Sequence, residues 1–169
     1  MRIAGMVAGL AIAFAALPAQ AQWSDVEGGK RHDKSGLVCP AKAGGFELKT
    51  QVATDTGFSC RYELHCSADE GCEGAVGYAA VTWNPAMDFA GQFRSLAAQQ
   101  KLPLVDEAGP AWAGPPRLFA RAGEGLETGY GGWWVVQSHG RPLNIGIFYN
   151  AAAEPGARAL AEATVRANP

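Results

Sequence analysis

The stretch from Tyr130 to Tyr149 constrains this chain more than any other. Trp133-Trp134-Val135-Val136 and Leu143-Asn144-Ile145-Gly146-Ile147-Phe148-Tyr149 are two β-branched and aromatic runs, flanking the short polar loop Ser138-His139-Gly140-Arg141-Pro142. Two such runs about a loop containing Gly and Pro read as a β-hairpin. Both faces of each run are largely apolar, so the hairpin belongs in the middle of a sheet covered on both sides. This fixes architecture and leaves chemistry open.

The chain begins with a basic start, Met1-Arg2-Ile3. An apolar run from Ala4 to Leu17 follows, ending at Pro18-Ala19-Gln20-Ala21. This is the pattern of a secretory signal peptide, residues 1–21, with cleavage expected after Ala21. The run is shorter than the roughly 20 apolar residues that span a bilayer. The expected location is the periplasm or the medium, with no transmembrane segment in the mature chain.

Cleavage would leave 148 residues, enough for one domain with a real core. Only Arg2 among the charged residues leaves with the leader, so 13 basic residues face 16 acidic ones. Nucleic-acid binding calls for a basic footprint, and this balance argues against it.

Four cysteines, Cys39, Cys60, Cys66 and Cys72, remain. An even number in an exported chain reads as disulfides, with three possible connectivities. Cys66 and Cys72 bracket a turn-like loop, which favours pairing them across a hairpin and leaves Cys39 for Cys60. Neither the paired C-x2-C spacing of zinc sites nor a redox C-x-x-C occurs.

Residues 22–36 are polar and charged, which predicts a flexible lead-in carrying a solvated His32, ahead of a single α+β domain over residues 37–169. Phe46, Leu48, Thr50 and Val52 alternate with polar residues, as do Cys60, Tyr62 and Leu64. Both read as half-buried strands, with His65 on a polar face. Ala75 to Trp83 reads as a third strand. Asn84-Pro85 predicts a helix start, and Phe89, Phe93, Leu96 and Ala97 recur behind it at helical spacing.

Lys101 to Pro116 is a proline-rich loop holding Trp112, and Arg117 to Arg121 reads as another strand. The glycines of residues 123–129 lack phosphate-loop spacing and suit a turn. Glu154-Pro155 opens a last helix, with Ala157, Leu160, Ala161 and Thr164 inward, expected beside the first helix. The predicted fold class is therefore a disulfide-bonded, single-domain antiparallel sheet of about five to six strands with two helices packed on it.

That element order, and the finish of the apolar strand Asn144 to Tyr149 into a helix over Glu154 to Ala167, resembles a PsbP-like domain. The resemblance implies an antiparallel sheet layered with helices. It also implies a role in binding, assembly or chaperoning rather than catalysis, and carries no functional residue across.

No catalytic, metal-ligating or cofactor-binding set emerges. Ser138 and His139 are neighbours on a turn and point apart, no G-x-S-x-G occurs, and paired cysteines leave no thiol nucleophile. His32, His65 and His139 lie in separate segments. Acidic residues such as Asp69, Glu70, Asp106 and Glu124 fall in polar stretches. The expectation is an exported, non-catalytic binding or assembly protein acting on an unknown envelope protein or ligand. Its candidate contact surface is Trp112, Trp133, Trp134 and Tyr149, aromatics being enriched in interface anchors. The alternatives are a small cell-envelope hydrolase, whose acids would converge in a cleft, and an envelope immunity protein against a toxin.

Overall fold

A computed structural model describes residues 22–65, 74–105, 114–122 and 129–169. The expected leader, Cys66, Cys72 and Trp112 lie outside these residues.

The central hairpin forms as its sequence predicts. Strands β10 (Gly129–Ser138) and β11 (Arg141–Asn150) pair over their full length, from Gly129 opposite Asn150 to Ser138 opposite Arg141. His139 and Gly140, both at positive φ, make the two-residue turn that matches strand twist. Around this hairpin lies an antiparallel sheet in the order β4-β5-β6-β7-β11-β10-β9-β8. Its other members are β4 (Lys42–Ala43), β5 (Phe46–Thr54), β6 (Gly57–Leu64), β7 (Gly77–Trp83), β8 (Leu104–Val105) and β9 (Gly114–Ala122). Six strands are long, in agreement with the expected count, and two-residue strands close the edges. Short edges limit pairing with other chains.

Residues 22–36 depart from expectation. They are not a lead-in but carry strands β1 (Trp23–Val26) and β2 (Gly29–His32), which with β3 (Val38–Pro40) form a separate three-stranded sheet. The polar composition hides this because the hairpin is anchored by few side chains, chiefly Trp23, His32 and Leu37. Leu37 and His32 are fully buried, so His32 is a core residue rather than a solvated one. The expected Cys39–Cys60 disulfide is present and ties β3 to β6.

The two helices lie on opposite faces of the large sheet, not side by side. Helix α2 (Glu154–Arg166) buries Ala157, Leu160, Ala161 and Thr164, the four positions its periodicity predicts. Its apolar residues join Trp134, Val136, Leu143, Ile145, Ile147 and Tyr149 in the main core. Helix α1 (Phe89–Gln99) packs Phe93 and Ala97 on Trp133, with Val135 and Phe148 beside them. The alternation along β10 and β11 sends Trp134 to one helix and Trp133 to the other, because successive strand side chains point to opposite faces.

Two local expectations also shift. Asn84 accepts the N–H of Ala86 in a turn, and α1 is capped by Asp88, whose carboxylate accepts the Gly91 N–H at 2.9 Å. Asp88 is as good a cap as Asn84 and lies nearer the Phe stripe. In β5 the register slips between Leu48 and Thr50, where a bulge reverses the inward face. Phe46 and Leu48 therefore point inward, Ala53 replaces Val52 against the core, and Val52 is exposed.

Candidate functional site

Three of the four aromatics expected at a contact surface are core residues. Trp134, Tyr149 and Trp133 are 1%, 4% and 6% exposed, the first two under α2 and the third under α1. Their strands carry apolar residues on both faces because helices cover both faces; of the three, Tyr149, though buried, also borders a groove at the end of β11.

The exposed apolar surface lies elsewhere, where the C-terminal end of α1 crosses the start of β7 and the end of β11. A groove of about 330 Å³ runs there, lined among others by Val76, Tyr78, Leu96, Gln100, Leu102 and Phe148. Tyr78 and Phe148 sit opposite each other in the β7–β11 register and stack nearly parallel, with ring centroids 5.0 Å apart. Val76, Tyr78 and Leu96 all remain substantially exposed, Val76 and Tyr78 at 68% and 58%. None of the lining residues carries a charge at neutral pH.

Local structure explains why the groove exists. Helix α1 seats Phe93 and Ala97 on Trp133, and this turns Leu96 away from the contact and over the groove. Gly131 lies beneath Phe148, where a Cβ would come within 3.1 Å of the Phe148 ring, so a larger residue would push that ring into the groove. Asn150 holds the end of β11: its side chain accepts from Val76 and Ala153 N–H groups and donates to the Gly74 carbonyl. The groove wall is thereby fixed to the start of β7.

A second cluster joins the small sheet to the large one. The His32 ring lies 5.1 Å from both Trp23 and Phe58 and 6.2 Å from Trp83, centroid to centroid. Its Nδ1 is 2.9 Å from Ser35 Oγ and accepts the Ser35 N–H. The Arg141 guanidinium donates to the Ser35 carbonyl and lies over the Trp83 ring. Burial pushes the His32 pKa below the ordinary imidazole value; nearby Asp33 opposes the shift, and Lys34 and Arg141 add to it.

This Ser-His contact is built into a turn rather than presented to a substrate. Both residues are buried, and Ser35 Oγ also accepts the Leu37 N–H. His65 and His139 are exposed in separate places, and among the described residues no three His, Cys, Asp or Glu side chains gather as a metal site would require. Ser138 is buried whereas His139 sits exposed on the hairpin turn, so the two do point apart.

The groove residues carried a weak signal in the sequence. Tyr78 shares an otherwise small and polar strand face with Ala80 and Thr82, and Leu96 stands at the edge of the Phe stripe. Neither position stands out until α1 is placed across the sheet.

No protein-family model matches the chain, and no curated protein or solved structure matches it. No helix among the described residues is long and apolar enough to cross a membrane.

Proposed function

We propose that this chain is an exported, non-catalytic binding or assembly protein of the cell envelope. Its contact site is the Val76–Tyr78–Leu96–Phe148 groove, which takes an uncharged aliphatic or aromatic side chain of a partner protein. The observation that carries the reading is the exposed Tyr78–Phe148 stack in an uncharged groove. A concave, largely apolar groove of this volume is of the size and lining that take an apolar group. A charged ligand would find no counter-ion there, whereas an apolar group would remove the rims of Val76, Tyr78 and Leu96 from water at about 25 cal/mol per Å². Export is supported by the leader-like residues 1–21 and by the Cys39–Cys60 disulfide, since such bonds persist in oxidising compartments. A PsbP-like relationship belongs to the same proposal, on element order alone.

The test is affinity capture of the protein from the envelope fraction of its own cells, with parent, Tyr78→Ala and Leu96→Glu compared. The expected result is one saturable partner, retained at least tenfold less by Leu96→Glu, with thermal midpoints close to the parent. Capture indifferent to both substitutions would remove the groove. Turnover of peptidoglycan fragments or simple esters by the parent would replace the binding reading with the hydrolase alternative.

A further inference from the structure

We infer that the β1–β2 hairpin is an acid-released flap, held down by neutral His32 and freed when that ring takes up a second proton, exposing Phe58 and Trp83. The inference is independent of the groove.

The geometry suits a neutral ring. Nδ1 lies 2.9 Å from the Ser35 hydroxyl and within 3.3 Å of the Ser35 backbone N–H, and the tautomer with its hydrogen on Nε2 accepts from both. A proton added at Nδ1 turns this acceptor into a donor. The Ser35 N–H then faces another N–H, and only the Ser35 hydroxyl can still receive.

The surroundings do not welcome the charge. From β1, β6 and β7 the ring meets Trp23, Phe58 and Trp83, all neutral. The charged groups that act on it are Asp33 and Lys34 from its own turn and Arg141 from β11. The single favourable one, the Asp33 carboxylate, is engaged by the Ser24 hydroxyl. Two cations and burial oppose it.

The connections of the hairpin decide what moves. Strands β1 and β2 pair only within the small sheet, and β2 meets β3 over three residue pairs, Gly29–Pro40, Lys30–Cys39 and Arg31–Val38. Strand β3 stays with the body, held by Cys39–Cys60 and by the bonds between Val38 and Asn168. What secures the hairpin to the body is the packing of Trp23 and His32 on Phe58 and Trp83, the Arg141 bond to the Ser35 carbonyl and the Lys34 bond to the Asp55 carbonyl, with the Gly28 carbonyl accepting the Ala41 N–H just past β3. Charging His32 weakens the first two together. Phe58 and Trp83 already border a small cleft of about 180 Å³ beside Met87, and the released flap would extend it into a continuous aromatic surface.

Amide hydrogen exchange over residues 23–36, corrected for the intrinsic pH dependence of exchange, tests this between pH 7.5 and 5.0 on protein purified from the envelope. Parent and His32→Gln are compared. In the parent, protection should fall by up to about tenfold per pH unit below the ordinary imidazole range, the slope for one proton taken up on release. His32→Gln should be flat, as glutamine keeps an acceptor without titrating there. Flat protection in the parent, or the same fall in His32→Gln, overturns the inference. The parent also supplies a check that needs no variant: followed by NMR, His32 should titrate below the ordinary imidazole value of about 6.5. Titration at or above that value, with no change in the hairpin amides, would equally overturn it.

Discussion

Asn168 bonds to both backbone groups of Val38, its Oδ1 accepting the N–H at 2.7 Å and its Nδ2 donating to the carbonyl at 2.8 Å. A side chain beyond the end of α2 thus completes the free edge of β3 as a neighbouring strand would. Nδ2 also donates to the Thr164 carbonyl at 2.8 Å, so the same amide closes the last turn of the helix. Asn168→Ala should cost about 2 to 4 kcal/mol, because it leaves two backbone groups of Val38 without partners. Urea denaturation would measure it. A loss under about 0.5 kcal/mol would mean that water replaces the amide and the edge needs no cap.

Gly156 lies in the first turns of α2, where Gly→Ala ordinarily stabilises a helix by about 1 kcal/mol. Here a Cβ would come within 2.3 Å of the Gly44 carbonyl oxygen, and Gly44, at positive φ, is itself confined to the turn before β5. Contact with backbone cannot be relieved by a rotamer change. Gly156→Ala is therefore expected to destabilise by about 1 to 3 kcal/mol, the range for overpacking. Thermal denaturation showing a stabilised variant would refute the close approach.

The Tyr62 hydroxyl is buried in the main core with no hydrogen-bond partner among the described residues. Tyr62→Phe removes an unsatisfied polar atom at little loss of packing, so stability should hold or rise by up to about 1 kcal/mol. Burial also pushes the Tyr62 pKa well above its usual value, favouring the neutral phenol in the folded state. The folded protein then binds more protons than the unfolded chain above about pH 10, and this contribution to stability falls as pH rises further. Tyr62→Phe should flatten that alkaline fall in chemical melts.

Reduction of Cys39–Cys60 opens a loop spanning 21 residues between β3 and β6. The chain-entropy estimate for such a loop is about 3 kcal/mol. The double variant Cys39→Ala, Cys60→Ala should melt lower by that amount, with β1 to β3 losing exchange protection first because the covalent tie between β3 and β6 is gone. Uniform loss of protection across both sheets would contradict this order.

For His32 the linkage runs in the acid direction. Its folded pKa is lowered, so its contribution is complete above the ordinary imidazole value of about 6.5 and is lost as pH falls below it. Denaturation of parent and His32→Gln at pH 7.5 and 5.0 should show the larger loss in the parent. Equal losses would place the acid sensitivity on other groups.

What the sequence determined by itself was local. The hairpin from Tyr130 to Tyr149, the inward positions of α2 and the alternation of Cys60, Tyr62 and Leu64 were legible. In each, neighbouring residues carry the signal through strand or helix period or turn chemistry. The Cys39–Cys60 pairing, which the structure shows, was reached only as what remains when Cys66 is paired with Cys72 across a turn. The tertiary structure alone decided which face each helix covers, and with it that Trp133, Trp134 and Tyr149 are core while Tyr78 and Leu96 line a groove. A strand's period states that two faces differ. It does not say what lies over either one. The burial of His32 was likewise invisible, since its environment comes from Phe58, Trp83 and Arg141, residues distant in sequence that meet only when the small sheet folds down on the large one.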